Sequence, residues 1–127
     1  MAQPSVRGLG TDLVDIERFR TVLARRRGLA DRLFADDEQE YAAGQRDPVP
    51  SLAARFGAKE AVMKAMGVGL FAFPLREVEV VRDDDGAPAL VLRGRAAELA
   101  GERGITGWHL SLSHTRELAM AVAVAIG

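Results

Sequence analysis

The sequence predicts an α+β fold, a mostly antiparallel sheet packed against one long principal helix. Three observations carry that prediction. Leu52 to Met66 reads as an unbroken helix with a stop at Gly67-Val68-Gly69. From Arg76 onward the apolar period changes to two, with Val78, Val80 and Val81, then Ala89 to Leu92, flanking the turn Asp83-Asp84-Asp85-Gly86. Near the end, Trp108, Leu110 and Leu112 alternate with His109, Ser111 and Ser113, the pattern of a half-buried strand.

The remaining elements follow in chain order. Val6 to Leu13 reads as a strand, with Gly8 and Gly10 marking close approach by another backbone or a ligand. Asp15 is placed to cap a helix over Ile16 to Arg26, which Gly28 is expected to end. A short helix is predicted over Asp37 to Ala43, opened by Asp36. Gly44 to Pro50 holds two prolines and a glycine and reads as a loop, after which Ser51 is the expected cap of the long helix. Ala96 to Glu102 reads as a short helix. Thr115 to Glu117 turns the chain into Leu118 to Ile126, whose length and valines favour a central strand. The residues before the first strand are expected to be disordered.

Composition narrows the chemistry. A length of 127 residues fits one domain, and no repeat or low-complexity linker divides it. A hydrophobic share of 48% and a net charge of -1 mark a folded, soluble chain with no whole-molecule attraction to nucleic acid or an anionic membrane. The absence of cysteine excludes disulfides, thiolate metal sites and a cysteine nucleophile. With His109 and His114 the only histidines, a metal must be held mainly by carboxylates, which selects a hard ion such as magnesium or manganese. No stretch approaches the ~18 apolar residues of a membrane helix. MAQPSVRG lacks the apolar middle of a secretory signal, so a cytoplasmic protein is expected.

Three stretches carry chemistry. On the long helix, Leu52, Phe56, Met63 and Met66 form a core stripe, while Ala53, Gly57, Glu60 and Lys64 form its neighbour. A carboxylate and an ammonium thus share a face with two very small residues. Of seventeen basic residues only Lys59 and Lys64 are lysines, both on this helix, and a compact ammonium suits a phosphate as a point charge. The plain alternative is a surface pair between Glu60 and Lys64, worth ~0.3–0.5 kcal/mol. Gly8-Leu9-Gly10-Thr11-Asp12 puts a carboxylate at the end of a glycine-bearing strand; the alternative is a simple helix cap. Ser111-Leu112-Ser113-His114-Thr115 puts a histidine at a strand end, fit for acid–base work or phosphate binding, or for nothing more than a surface hydrogen bond.

Together GLGTDLVDIER at 8–18, LAARFGAKEAVMKAMGVG at 52–69 and HLSLSHTRELAMAVAV at 109–124 resemble the holo-acyl-carrier-protein synthase family of 4'-phosphopantetheinyl transferases. The resemblance spans Val6 to Ile126 and implies that family's fold over a single domain, residues 1–127. It implies transfer of 4'-phosphopantetheine from coenzyme A to a serine of an apo acyl carrier protein, leaving 3',5'-ADP, in support of fatty acid or polyketide synthesis. Asp12 and Glu60 match the metal-binding carboxylates, with magnesium as the ion and manganese as a substitute. Lys64 matches the lysine on the coenzyme A phosphates, beside the attacking hydroxyl. Arg55, His114, Thr115 and Arg46 match positions lining the coenzyme A site. Arg18 and Arg25 match basic positions on the first helix that meet the acidic carrier. The small members of the family are trimers with the active site between subunits. Gly57 stands where the family usually has alanine. Glu60, directly or through a water, is the first choice of base, and a hydroxide on the metal the second.

Rival readings are a non-catalytic module that binds a carrier protein, and a coenzyme A sensor. A basic nucleic-acid module fits poorly with so few aromatics, 6%. The combination of Asp12, Glu60 and Lys64 favours the enzyme, because a binding module has no need of all three.

Overall fold

The computed structural model describes residues 3–127. In chain order they form β1 (Val6–Asp15), α1 (Ile16–Arg25), α2 (Leu29–Leu33), α3 (Asp36–Ala43), α4 (Pro48–Met66), a 3-10 turn (Leu75–Glu77), β2 (Val78–Arg82), β3 (Pro88–Leu92), α5 (Gly94–Glu102), β4 (Gly107–His114) and β5 (Leu118–Ile126). A three-stranded sheet has the order β1-β5-β4, and β2 pairs with β3 in a second sheet. Every pairing is antiparallel. The apolar run at 118–126 is the central strand, as its valines predict, and α4 is the principal helix.

Four local expectations need correction. α1 stops at Arg26, and Gly28, in the left-handed region at φ 77°, instead precedes α2, a helix the sequence did not announce. α3 already includes Asp36; Ala35 is its cap position, and its free N–H donates to the Glu38 carboxylate at 2.9 Å. α4 opens at Pro48, not after Ser51. Asp47 accepts the Val49 N–H at 3.1 Å, so both prolines sit in the first turn, where a missing N–H costs nothing. Of the N-terminal stretch expected to be disordered, Met1 and Ala2 lie outside the described residues, while Ser5 exchanges two backbone hydrogen bonds with Gly127, each 3.0 Å.

Small side chains bring α4 and the sheet unusually close. Gly8 and Gly10 face α4 from β1. A Cβ at Gly8 would lie 2.8 Å from the Ala65 carbonyl carbon, and one at Gly10 2.8 Å from that of Ala61, closer still to each oxygen. The same face of β5 carries Ala119, Ala121, Ala123 and Ala125, all fully buried. The core lies to either side of this seam. One part joins α4 and α5 to both sheets through Val62, Met63, Val78, Val80 and Leu99. The other joins α1, α3 and α4 through Ile16, Phe19, Ala42 and Leu52, with Phe34 between α2 and α3. Phe19 meets Phe34 edge-on at 6.3 Å between ring centres and lies 5.1 Å from Phe56.

Lys59 belongs to the core. Its ammonium is fully buried, donates to Glu38 Oε1 at 2.7 Å and to the Leu75 carbonyl at 3.2 Å, and also reaches the Val78 carbonyl. Three donors meet three acceptors. The other Glu38 oxygen accepts the Val80 N–H at 2.9 Å. Burial pushes the Lys59 pKa down, and the nearby Glu38 carboxylate opposes that shift. Of the two lysines the composition singled out, one is therefore a core tie between α3, α4 and β2. Only Lys64 reaches the surface.

Candidate functional site

The glycine spacing on β1 positions the first carboxylate. Gly8, Gly10 and Asp12 alternate onto the same face, so the strand that hugs α4 at its glycines delivers Asp12 beside the next part of that helix. There the helix again offers glycine: a Cβ at Gly57 would lie 3.8 Å from Asp12 Oδ2. Glu60 follows one turn on, and Asp12 and Glu60 line one cavity between β1, α1 and α4. Lys64, a further turn along, donates to Asp12 Oδ1 at 3.1 Å and to the Thr11 carbonyl at 2.9 Å. The alternative Glu60–Lys64 pair does not form; Lys64 turns to the strand instead.

Electrostatics mark Glu60 as the unusual member. Burial pushes its pKa up, the Asp12 charge pushes it further, and Lys64 offsets part of the rise. Two carboxylates lining one half-buried cleft repel each other, and the Lys64 ammonium, bonded to Asp12 and not to Glu60, offsets that repulsion only in part. Among the described residues no third carboxylate or histidine joins them into a ready-made cage. The donor set is therefore two hard oxygens with open positions, which fits magnesium, an ion that keeps waters and substrate oxygens in its shell.

The apolar wall of this cavity comes from Phe19, Val22, Leu29, Leu33, Phe56 and Leu75, and its rim carries Arg18 and Arg26. Arg18 lines the cavity from α1, whose start is fixed by Asp15 accepting the Arg18 N–H at 2.9 Å. Arg25 is exposed on the same helix but does not line the cavity. Among the described residues neither arginine is in an ion pair, whereas Arg20 is held by Glu17 and Asp47.

Arg55 and His114 lie elsewhere. They share a second cavity with Tyr41, Ser51 and Arg82, and no residue lines both cavities. Arg55 is nearly buried, donates to Ser51 Oγ at 2.6 Å and leaves its Nε without a partner. Thr115 has its hydroxyl committed to the β4–β5 turn, accepting the Glu117 and Leu118 N–H groups at 3.3 and 3.1 Å. Arg46 is exposed in the loop before α4, between Gln45 and Asp47, which line the Arg55 cavity. Asp12, Glu60 and Lys64 thus come together within one chain; Arg55 and His114 share the second cavity, Thr115 lines a neighbouring one with His114, and Arg46 lines neither. Sequence reasoning missed Tyr41 and Arg82; nothing in their spacing links them, since one lies on α3 and the other at the end of β2.

The profile of the 4'-phosphopantetheinyl transferase superfamily matches residues 8–123. The chain belongs to that superfamily. It is 47% identical over 125 residues to the holo-[acyl-carrier-protein] synthase of Streptomyces avermitilis, covering 97% of this chain and 99% of the relative. Among solved structures, the holo-[acyl-carrier-protein] synthase of Neisseria meningitidis superposes with a TM-score of 0.87 at 30% identity, over 95% of this chain and 98% of the other. The Chronobacterium ammoniagenes ACPS–CoA complex gives 0.83 at 28% identity, over 98% and 97% of the two chains. This transferase fold accounts for both the antiparallel sheets and the single dominant helix.

Proposed function

We propose that the chain, acting as one domain, transfers 4'-phosphopantetheine from coenzyme A to a serine hydroxyl of an apo acyl carrier protein. The observation that carries this reading is the convergence of Asp12 and Glu60, forty-eight positions apart in the chain, on one cavity beside Lys64. Relatives named holo-[acyl-carrier-protein] synthase and a solved complex with CoA support the choice of substrates. Asp12 and Glu60 would hold magnesium, for which manganese is an acceptable substitute. When bound, that ion neutralises charge on the pyrophosphate oxygens.

The serine oxygen attacks the β-phosphorus, the one bearing pantetheine. A new P–O bond forms, the bridging P–O bond breaks, and its electrons leave with 3',5'-ADP. Glu60 takes the serine proton, directly or through a water. Lys64 supplies positive charge at the phosphates and holds Asp12 in place. Arg55, His114, Thr115 and Arg46 receive the nucleotide end of coenzyme A. Arg18 and Arg25 steer the acidic carrier, whose serine must reach the cavity that Arg18 borders.

The working unit is a homotrimer with each site shared between neighbours. Two observations support this. The catalytic carboxylates and the Arg55–His114 group occupy separate cavities of one chain. The outer sheet face exposes Leu9, Leu13, Leu118 and Met120, with Leu13 65% exposed, an apolar surface that a second copy would cover. No helix among the described residues is long and apolar enough to cross a membrane. We place the enzyme in the cytoplasm, where coenzyme A and carrier proteins meet.

The deciding experiment incubates the protein with coenzyme A, magnesium and an apo carrier, then weighs the carrier. A gain of one phosphopantetheine, abolished by chelation, is expected. No gain across several carriers overturns the reading in favour of a binding module.

A further inference from the structure

We propose that Tyr41 is a positioning residue which holds Arg82 opposite Arg55, so that the two guanidinium groups together grip a phosphate of coenzyme A. The Arg55 guanidinium lies 4.4 Å from the centre of the Tyr41 ring, and that of Arg82 lies 4.8 Å from the same centre. All three residues line one cavity with His114. Two like charges are thus gathered around one ring. Asp47, the one carboxylate lining that cavity, is already bound to Arg20 at 2.6 and 3.0 Å, and Glu38 behind Arg55 is taken by Lys59 at 2.7 Å. Arg55 is only 4% exposed, and its Nε is buried without a hydrogen-bond partner. A charged group that close to fully desolvated and still short of an acceptor needs an anion to complete it.

The ring serves the two arginines unequally. Arg55 is also fixed by Ser51. Arg82 is exposed at the end of β2 and has one other hold, the Gly86 carbonyl at 2.8 Å. Stacking on Tyr41 therefore does most for Arg82, which would otherwise swing into water.

This inference rests on the transferase reading, and the test separates the two. The probe is 3',5'-ADP, titrated by calorimetry into wild type, Tyr41→Leu, Tyr41→Phe and Arg82→Gln. Expected are about tenfold weaker binding in Tyr41→Leu and in Arg82→Gln, and near wild-type binding in Tyr41→Phe, which keeps the stacking face. In turnover, Tyr41→Leu should raise the KM for coenzyme A and leave kcat close to wild type. If Tyr41→Leu fails to fold, Tyr41→Phe and Arg82→Gln still decide the matter. Unchanged affinity in Arg82→Gln, or a loss in Tyr41→Phe equal to that in Tyr41→Leu, overturns the proposal while wild type still binds. Wild type that does not bind 3',5'-ADP sinks the transferase reading itself.

Discussion

Gly10→Ala offers the sharpest test of how the fold builds the site. The added methyl would lie 2.8 Å from the Ala61 carbonyl carbon and 2.9 Å from the Ala65 nitrogen, where ordinary contacts begin at 3.4 Å. Both neighbours are helix backbone, so no side chain can turn aside. Relief requires α4 to retreat from β1, and the closer approach to the Ala61 oxygen sets that retreat at roughly an ångström or more. Overpacking of this kind costs ~1–3 kcal/mol, and a backbone clash belongs at the upper end. For a chain of this length the melting temperature should fall by about 10 °C. The functional loss should be larger. Asp12 lies two residues beyond Gly10 on the same strand face, so the retreat widens the gap to Glu60, and a misplacement of about 1 Å can cost ~10²-fold in rate. Gly57→Ala is the control. Its methyl would meet Val14 Cγ2 at 3.4 Å, Ala121 Cβ at 3.6 Å and Asp12 Oδ2 at 3.8 Å, all ordinary contacts. There alanine should stabilise α4 by ~0.5–1 kcal/mol and leave turnover intact. Urea denaturation followed by fluorescence of the one tryptophan, Trp108, measures the first effect, and carrier mass gain the second. Wild-type stability and rate in Gly10→Ala would refute the reasoning, as would equal damage from both substitutions.

Other outcomes follow from features already described. Lys59→Met leaves the Glu38 carboxylate buried without its cation, at a cost of ~3–5 kcal/mol, and adding Glu38→Gln should recover part of the loss; denaturation midpoints of the single and double variants check this. The Glu60 pKa is raised above its ordinary value of 4.5 in the folded protein, so the native state binds the proton more tightly than the unfolded chain. The stability this gives is full below about that value and is lost as pH rises through the raised one. Glu60→Gln should therefore flatten the stability profile above pH 4.5 and make the magnesium-free protein more stable at neutral pH, while magnesium-dependent turnover disappears; a steeper profile would contradict the assignment. Arg18→Glu should slow carrier association and leave coenzyme A affinity unchanged, read by stopped-flow mixing and calorimetry.

Much of this architecture was legible because it follows simple periods. The two-residue alternation at Trp108–Ser113 and the valine-rich run ending at Ile126 each became a strand of the three-stranded sheet. The G-x-G-x-D spacing announced a close approach, and the structure assigns that approach to α4. What escaped were features decided by tertiary partners. Pro48 and Pro50 read as loop residues, yet Asp47 caps a helix that begins among them. Lys59 and Lys64 looked equivalent on one helix, and only their neighbours separate them: three acceptors at 59, a strand carboxylate at 64. The division of the site residues between two cavities was equally invisible, since linear order carries no information about which wall a side chain faces.

The Lys59–Glu38 tie has a mechanical consequence. A cylinder packed on a smooth bed of glycine and alanine could turn about its own axis with little resistance, because small side chains interlock poorly. The ammonium at 59 adds a directional hold to the packing of Leu52, Val62 and Met63, since its three acceptors come from α3, from the turn before β2 and from β2 itself. Glu60 is the very next residue, so the peg that resists the rotation also fixes the direction in which the neighbouring carboxylate points. Accuracy at the surface is thereby guaranteed by a group that substrate never meets.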